Sequence, residues 1–78
     1  MEQKLRKAIA EYIYGSRSEI IFVGNPVSIS ILKEATETSR NLMIALREGD
    51  VDKVSVALRN KREAVLRYEK VTGYSWGL

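Results

Sequence analysis

Residues 46–58, LREGDVDKVSVAL, contain the signal that decides the fold. Gly49 can take the left-handed backbone conformation that ends a helix, and Asp50 can accept hydrogen bonds from the first free N–H groups of the next helix. Asp52 adds a negative charge at the positive end of that helix dipole. A turn of about two residues between two long helices predicts an antiparallel helical hairpin.

The turn is flanked on both sides by segments with helical periodicity. Asn25 is a good N-cap and Pro26 suits the first helical position, so one helix is predicted over 26–48. The other is predicted over 51–72, where Gly73 ends it. The residues predicted to form the buried stripes are Ile31, Leu32, Ala35, Ser39, Leu42, Met43 and Leu46 on the first helix, and Val51, Val54, Ala57, Leu58, Ala64, Val65, Tyr68 and Val71 on the second.

A shorter helix is predicted at the N-terminus, over residues 2–14. Its apolar residues recur at helical spacing and form one stripe, and Gly15 supplies a stop. We expect this helix to pack across the hairpin of its own chain or onto the hairpin of a neighbouring subunit. The stripe consists of Leu5, Ala8, Ile9, Tyr12 and Ile13.

The segment between the first two helices favours a short β-strand. Residues 19–23 are rich in β-branched and aromatic side chains, although Ser16 to Glu19 also matches a capping box that would open a short helix. A lone strand must satisfy its backbone groups, and no second strand is apparent in the sequence. If the strand forms, we expect it to pair with its copy in another subunit or with a different protein.

The fold expected from these elements is mainly α: an antiparallel helical hairpin plus an N-terminal helix, possibly with one short β-strand near 19–23. At 78 residues the chain is long enough for one domain and buries only about 60% of its unfolded surface. It has no Cys for disulfides, which leaves unusually good helix packing or self-association as the source of extra stability, and self-association is favoured. The single small domain 1–78 divides into an N-terminal helix (1–15), a strand or turn (16–25), the hairpin (26–72) and an aromatic tail (73–78).

Composition points to a cytoplasmic protein. The chain is 45% hydrophobic and 29% charged, as ordinary globular domains are. The basic, amphipathic N-terminus lacks the continuous apolar run of a secretion signal, and the run from Ile20 to Val23 is too short to cross a membrane. The absence of Cys fits a reducing compartment.

The residues that enzymes and metal sites most often use are missing. There is no His and no Cys, which removes the commonest general base, the thiol nucleophile and the usual zinc ligands. Glu34 and Glu37 lie three residues apart, but such a pair is more often a solvated helix face than an acid–base site. We therefore expect no catalytic residue, no cofactor, no metal and no small-molecule substrate.

Apolar residues outside the predicted stripes are the best indication of a binding function. A two-helix hairpin buries one side of each helix, so these residues must meet the N-terminal helix, another subunit or a partner. In the tail, the aromatic residues either complete the core or form a docking peptide, because Trp and Tyr are common in binding hot spots. The residues proposed to contact a partner are Ile29, Ile44, Val56, Leu66, Tyr74 and Trp76.

These residues favour a non-enzymatic protein–protein interaction module that self-associates: an adaptor, chaperone, inhibitor or small accessory factor, with a virus or phage as one candidate source. The alternative is a small basic nucleic-acid-binding regulator, because the net charge is +3. Pairing of Arg59 with Glu63 along the helix would weaken that alternative. The basic residues that would contact phosphates are Arg59, Arg62, Arg67 and Lys70.

The stretch from Arg47 to Tyr68 resembles the helical hairpins of small chaperones and adaptors, such as flagellar export chaperones. The similarity consists of a Gly-Asp turn followed by an amphipathic helix with apolar residues at Val51, Val54 and Ala57. It implies a hairpin fold, and it supplies no functional residue for this chain.

Overall fold

Residues 2–78 are described by a computed structural model. They contain three helices: α1 (Gln3–Ile13), α2 (Pro26–Glu48) and α3 (Val51–Thr72). α2 and α3 form the hairpin, and α1 packs on α2 of the same chain. The predicted fold class, mainly α with a helical hairpin and an N-terminal helix, is confirmed.

The hairpin turn is held by the local signals on which the prediction depended. The Asp50 carboxylate accepts hydrogen bonds from the backbone N–H groups of Asp52 (3.0 Å) and Lys53 (3.1 Å). Gly49 has a φ of 72°, in the left-handed region that a side chain would disfavour. Asn25 caps α2 in the same way as Asp50 caps α3. Because both ends of the turn are fixed by neighbouring residues, the hairpin is specified locally.

The core lies where α1 crosses the hairpin. Ala35 presents only a methyl group there, so the α1 backbone can approach α2 closely. The polar side chains buried beside it, Thr36 and Ser39, donate their hydroxyl protons to carbonyl oxygens one turn earlier in α2. Each buried hydroxyl is therefore satisfied within its own helix. The core cluster consists of Ile9, Ile13, Ala35, Tyr68 and Trp76.

The C-terminal tail folds back and completes this core. Trp76 is 1% exposed, and its ring meets that of Tyr68 edge-on with centroids 4.9 Å apart. Its indole N–H donates to Ser39 Oγ at 3.0 Å, and its backbone N–H donates to Glu69 Oε2 at 2.9 Å. Arg6 Nη1 donates to the Trp76 carbonyl at 3.1 Å. The tail is thus bonded to all three helices.

The possible strand at 19–23 does not form in the described chain. Residues 16–25 are irregular between α1 and α2. The physical reason is that a strand is stabilised by its neighbour, and residues 2–78 contain no second strand to supply one. The short helix that Ser16 could open, the other prediction for this segment, does not form either.

α1 covers only part of the hairpin. It has 11 residues, about 17 Å at 1.5 Å per residue, whereas α2 and α3 have 23 and 22 residues, about 34 Å each. The half of the hairpin nearest the turn, residues 41–58, therefore has exposed apolar side chains. Leu46, Val51 and Leu58, predicted in the buried stripes, are exposed for this reason. Val71, also predicted in a buried stripe, is exposed at the other end of α3. The exposed large apolar residues of this turn half are Ile44, Leu46, Val51, Val56 and Leu58.

Tyr12 links α1 to α2 by a hydrogen bond. Because the tyrosine hydroxyl ionises at alkaline pH, this bond makes the free energy of unfolding depend on pH in that range. Its hydroxyl donates to Glu37 Oε1 at 2.6 Å, and the Arg40 guanidinium lies 4.1 Å from the ring centroid. The bond to the Glu37 carboxylate, helped by burial, raises the pKa of Tyr12 above its ordinary 10.0. A raised folded-state pKa contributes stability that is present below pH about 10 and is lost as pH rises through the folded pKa.

We expect Tyr12→Phe to lower the free energy of unfolding by about 1 kcal/mol at pH 7, because the hydrogen bond is removed. The variant should also lose less stability than the wild type between pH 9 and pH 11. Urea denaturation across this range measures both effects. Tyr74→Phe, which alters an exposed tyrosine, is the control and should change neither value. Identical pH profiles for Tyr12→Phe and the wild type would contradict this assignment.

Candidate functional site at the turn of the hairpin

A groove of about 430 Å³ opens between α2 and α3 beside their turn. All of its lining residues belong to these two helices, and none belongs to α1. We call it the hairpin groove. Its lining residues are Thr38, Asn41, Ile44, Ala45, Glu48, Asp52, Lys53, Val56, Ala57 and Asn60.

Small residues form the floor of the hairpin groove and larger apolar residues form its sides. Ala45 and Ala57 are buried between the two helices, one on each side of the turn. Ile44 is 38% exposed and Val56 is 54% exposed. Because alanine leaves the floor open, an apolar group that enters the groove can contact both flanking side chains at once.

Charged and polar residues surround the apolar part of the groove. Near the turn, Lys53 Nζ lies 2.9 Å from Glu48 Oε2, and this hydrogen bond raises the pKa of Lys53. The carboxylate of Asp52 lies at the same end and makes no ion pair within residues 2–78. This end of the groove has two carboxylates, of Glu48 and Asp52, and one ammonium group, of Lys53, so it carries a net negative charge. The amides of Asn41 and Asn60 also line the groove.

Of the six residues proposed to contact a partner, the structure brings two together in the groove, Ile44 and Val56. Ile29 is partly buried and lines separate hollows beside residues 20–22. Leu66 is exposed on α3 and does not line the groove, and Tyr74 is exposed in the tail.

Trp76 lies in the core. Of the two interpretations of the tail, the structure therefore shows the first for Trp76: its side chain completes the core and is not on the surface. Trp76 shares the core cluster with Ile9 and Ile13 of α1.

Sequence reasoning missed most of the groove lining. Thr38, Asn41, Ala45 and Asn60 are not among the residues predicted to contact a partner, and Ala57 is predicted only in the buried stripe. Their meeting depends on the register of the two helices, which no local sequence signal gives.

The four basic residues of α3 that were proposed to contact phosphates divide into two groups. Arg67 forms an ion pair with Glu34 on α2. Arg59, Arg62 and Lys70 are exposed, and no carboxylate of the described residues lies within ion-pair distance of them. The expected pairing of Arg59 with a glutamate along the helix is therefore absent from this part of the chain, which leaves three free cationic side chains on α3.

The acidic residues considered for catalysis have separate partners. Glu34 accepts from Arg67, and Glu37 accepts from Tyr12. Across residues 2–78, no three Asp or Glu side chains are arranged to hold a metal ion. Among the helices described, none combines the length and the apolar character needed to cross a membrane.

The chain matches no protein-family model, no curated protein and no solved structure. The likeness of Arg47 to Tyr68 to hairpin chaperones thus remains a likeness of sequence pattern. Function must be inferred from the residues and their geometry.

Proposed function

We propose that the protein is a non-enzymatic protein–protein interaction module that self-associates and acts in the cytoplasm as an adaptor, chaperone, inhibitor or small accessory factor. The observation that carries the proposal is the hairpin groove, an exposed apolar surface between α2 and α3 that no residue of α1 lines. Clustered exposed apolar residues rimmed by polar ones are typical of surfaces that bind another protein.

The occupant that fits the groove best is an amphipathic helix. From Thr38 to Glu48 the groove follows α2 over eleven residues, about 15 Å or three helical turns. A third helix laid along two antiparallel helices buries apolar residues at i, i+3 or i+4, and i+7. The acidic end of the groove, with Glu48 and Asp52, favours a partner helix that has a basic residue where it reaches the turn.

Ile44 and Val56 are the residues whose contacts would contribute most. Full burial of an aliphatic side chain contributes about 1.5–3 kcal/mol, and about half of each surface is already covered here. Each residue therefore has about 1 kcal/mol left to contribute on binding, roughly a fivefold change in affinity. Replacement by a charged residue costs more, because the charge must also be desolvated.

We test the groove by placing the photo-crosslinking amino acid p-benzoylphenylalanine at position 56, with position 71 as the control. Val56 and Val71 are both exposed valines of α3, but only Val56 lines the groove. In cells that express the protein, a partner should crosslink at position 56 and not at 71. The partner is then purified, so that the binding can be measured directly with the wild-type chain.

We expect Val56→Glu and Ile44→Glu each to weaken binding of the purified partner by at least about tenfold, since each places a charge in an apolar contact. Val71→Glu is the matched control and should bind as the wild type does. Far-ultraviolet circular dichroism checks that all three variants remain helical. Equal crosslinking at positions 56 and 71, or equal binding by Val56→Glu and Val71→Glu, would contradict the proposal.

A second candidate function, nucleic-acid binding, is favoured by the exposed cations Arg59, Arg62 and Lys70 on α3. If it holds, affinity for duplex DNA or RNA falls steeply as salt rises, because binding releases counterions. Replacing these three residues together by alanine should then abolish binding, while Arg67, which is engaged by Glu34, should matter less. Salt-insensitive or absent binding would remove this candidate.

A further inference from the structure

Residues 19–24 form the one long stretch of residues 2–78 whose backbone is left without hydrogen bonds. None of their N–H or C=O groups bonds to another group of the described chain. The bonds resume on both sides: Arg40 Nη1 donates to the Ser18 carbonyl at 3.3 Å, and Asn25 caps α2. A row of free donors and acceptors is the feature by which an extended segment recruits another strand.

Side chains in this segment alternate between inside and outside. Ile20 and Phe22 pack against the core cluster. Between and after them, Ile21 is 76% exposed and Val23 is 95% exposed. This period of two residues is the pattern of a strand with one buried face. The segment therefore has the side-chain arrangement of a strand and lacks only its neighbour.

Apolar hollows of about 220 Å³ and 210 Å³ lie beside the segment, and Ile21, Phe22 and Ile29 line both of them. They are separate from the hairpin groove, with which they share no lining residue. The same five residues, 19–23, thus offer unpaired backbone groups, protruding β-branched side chains and hollows next to them. A surface that supplies both sides of a contact is self-complementary, as a twofold interface requires.

We propose that residues 19–23 pair with the same residues of a second copy of the chain, as an antiparallel two-stranded ribbon about a twofold axis at Ile21. The proposal deepens the self-association in the proposed function and rests on that part of it. In this arrangement Ile21 lies opposite Ile21 of the second copy, with Val23 of each copy diagonal to it. Ile20 lies opposite Phe22 of the second copy. Ile21 then covers its copy across the axis, and Val23, which lies opposite Glu19 of the second copy, contacts Ile21 of that copy diagonally.

Charge supports the antiparallel direction. A parallel, in-register pair would place the two Glu19 carboxylates side by side, and like charges directly across a ladder are destabilising. The antiparallel pair puts them at opposite ends, about four residues or 13 Å apart.

The following residues limit the length of the ribbon. Gly24 has a φ of 151°, outside the usual range for a strand residue with a side chain, and Pro26 has no N–H to donate. The ladder is thereby limited to the five residues before Gly24. Because a twofold axis at Ile21 relates the two copies, the product of this pairing is a closed dimer.

The absence of Cys from the chain makes a disulfide test free of background. Directly opposite residues of an antiparallel pair have Cα atoms about 4.5–5.5 Å apart, within the range that a disulfide spans. We expect Ile21→Cys to form a covalent dimer under mild oxidation. Pairing holds the two thiols at a millimolar effective concentration. The covalent dimer should therefore form at least about tenfold faster than it would by random collision of chains at micromolar concentration. Non-reducing gel electrophoresis over time measures the rate.

Two control thiols locate the contact. Val27→Cys is exposed at the start of α2, a few residues beyond the ribbon, and Val56→Cys lies in the hairpin groove. Faster crosslinking at position 21 than at both controls supports the ribbon. Equal rates at 21 and 27 overturn it. Faster crosslinking at 56 than at 21 also overturns it, and would mean that copies associate through the groove.

A second variant keeps the test independent of thiol chemistry. Ile21→Lys adds a charge at an exposed position, so the monomer should fold with unchanged circular dichroism. Two lysines would face each other across the twofold axis, and the dimer dissociation constant should rise by at least about tenfold. An unchanged dissociation constant would overturn the ribbon. Partner binding by Val56→Glu equal to that of the wild type, with crosslinking retained at position 21, would contradict only the groove, so the two proposals fail separately.

Discussion

Trp76→Ala is expected to lower the free energy of unfolding by about 3–5 kcal/mol, the range for deleting a buried aromatic side chain. The indole is 1% exposed, meets Tyr68 edge-on and donates to Ser39 Oγ at 3.0 Å. A domain of 78 residues has a total stability of about 4–12 kcal/mol, so this loss removes at least about a quarter of it, and all of it at the lower end of that range. One residue of the tail thus contributes a large share of the stability.

Urea denaturation followed by circular dichroism measures this loss. Tyr74→Ala changes an exposed aromatic residue of the same tail, and should cost less than about 1 kcal/mol. Trp76→Phe keeps most of the apolar contact but leaves Ser39 without the indole N–H, so an intermediate cost of about 1–2 kcal/mol is expected. Equal stabilities of Trp76→Ala and Tyr74→Ala would show that the tail is not part of the core.

Ile9→Ala is expected to lower the free energy of unfolding by about 2–5 kcal/mol. Ile9 is 0% exposed and lies in the core cluster beside Ala35 and Trp76. Alanine would leave a cavity that these neighbours cannot fill without moving α1. Ile44→Ala, which shortens a partly exposed side chain of the groove, is the matched control and should cost less than about 1 kcal/mol.

The Ile9→Ala experiment also tests whether α1 packs on its own chain. Because Ile9 contacts α2 of the same chain, the loss should be the same at 1 µM and at 100 µM protein once dissociation of any dimer is taken into account. A loss that disappears at high protein concentration would place α1 on the hairpin of a second copy, which the sequence alone left open.

Sequence reasoning succeeded where structure is determined by neighbouring residues. Both hairpin helices begin and end at the predicted positions, 26–48 and 51–72, because Asn25, Asp50 and Gly49 act within one turn of their own position. Helix ends with strong caps are local features, and the sequence contains all the information that they need.

It failed where structure depends on elements distant in the chain. Leu46, Val51 and Leu58 continue the apolar periodicity, but their burial required a third helix longer than the 11 residues of α1. The strand at 19–23 had the right composition and no partner within the described chain. In both cases the side chains were suited to burial, but the sequence did not show whether another element would cover them.

The candidate site was only partly predictable for the same reason. Ile44 and Val56 were found because they leave the periodic stripe. Their meeting in one groove depends on the register of the hairpin, and so does the floor formed by Ala45 and Ala57. Leu66 was also predicted to contact a partner because it lies outside the apolar stripe, but it does not line the groove. A position outside the stripe shows which face of the helix a residue occupies, and it does not show which residues lie next to it.

The two proposed surfaces are compatible in one assembly. The ribbon at 19–23 and the hairpin groove share no lining residue, so a dimer would present two free grooves. A dimer with two equivalent grooves binds a repeated or dimeric partner with an affinity raised by effective concentration. This bivalency is the property we expect of an adaptor.

Size-exclusion chromatography with light scattering, recorded at the protein and nucleic-acid absorbance maxima, tests most directly whether this is a self-associating interaction module. We expect a dimer of two 8.9 kDa chains that is free of nucleic acid and dissociates only on dilution. A monomer at every concentration would contradict self-association. Co-eluting nucleic acid that is lost as salt rises would contradict the interaction module itself and point to Arg59, Arg62 and Lys70.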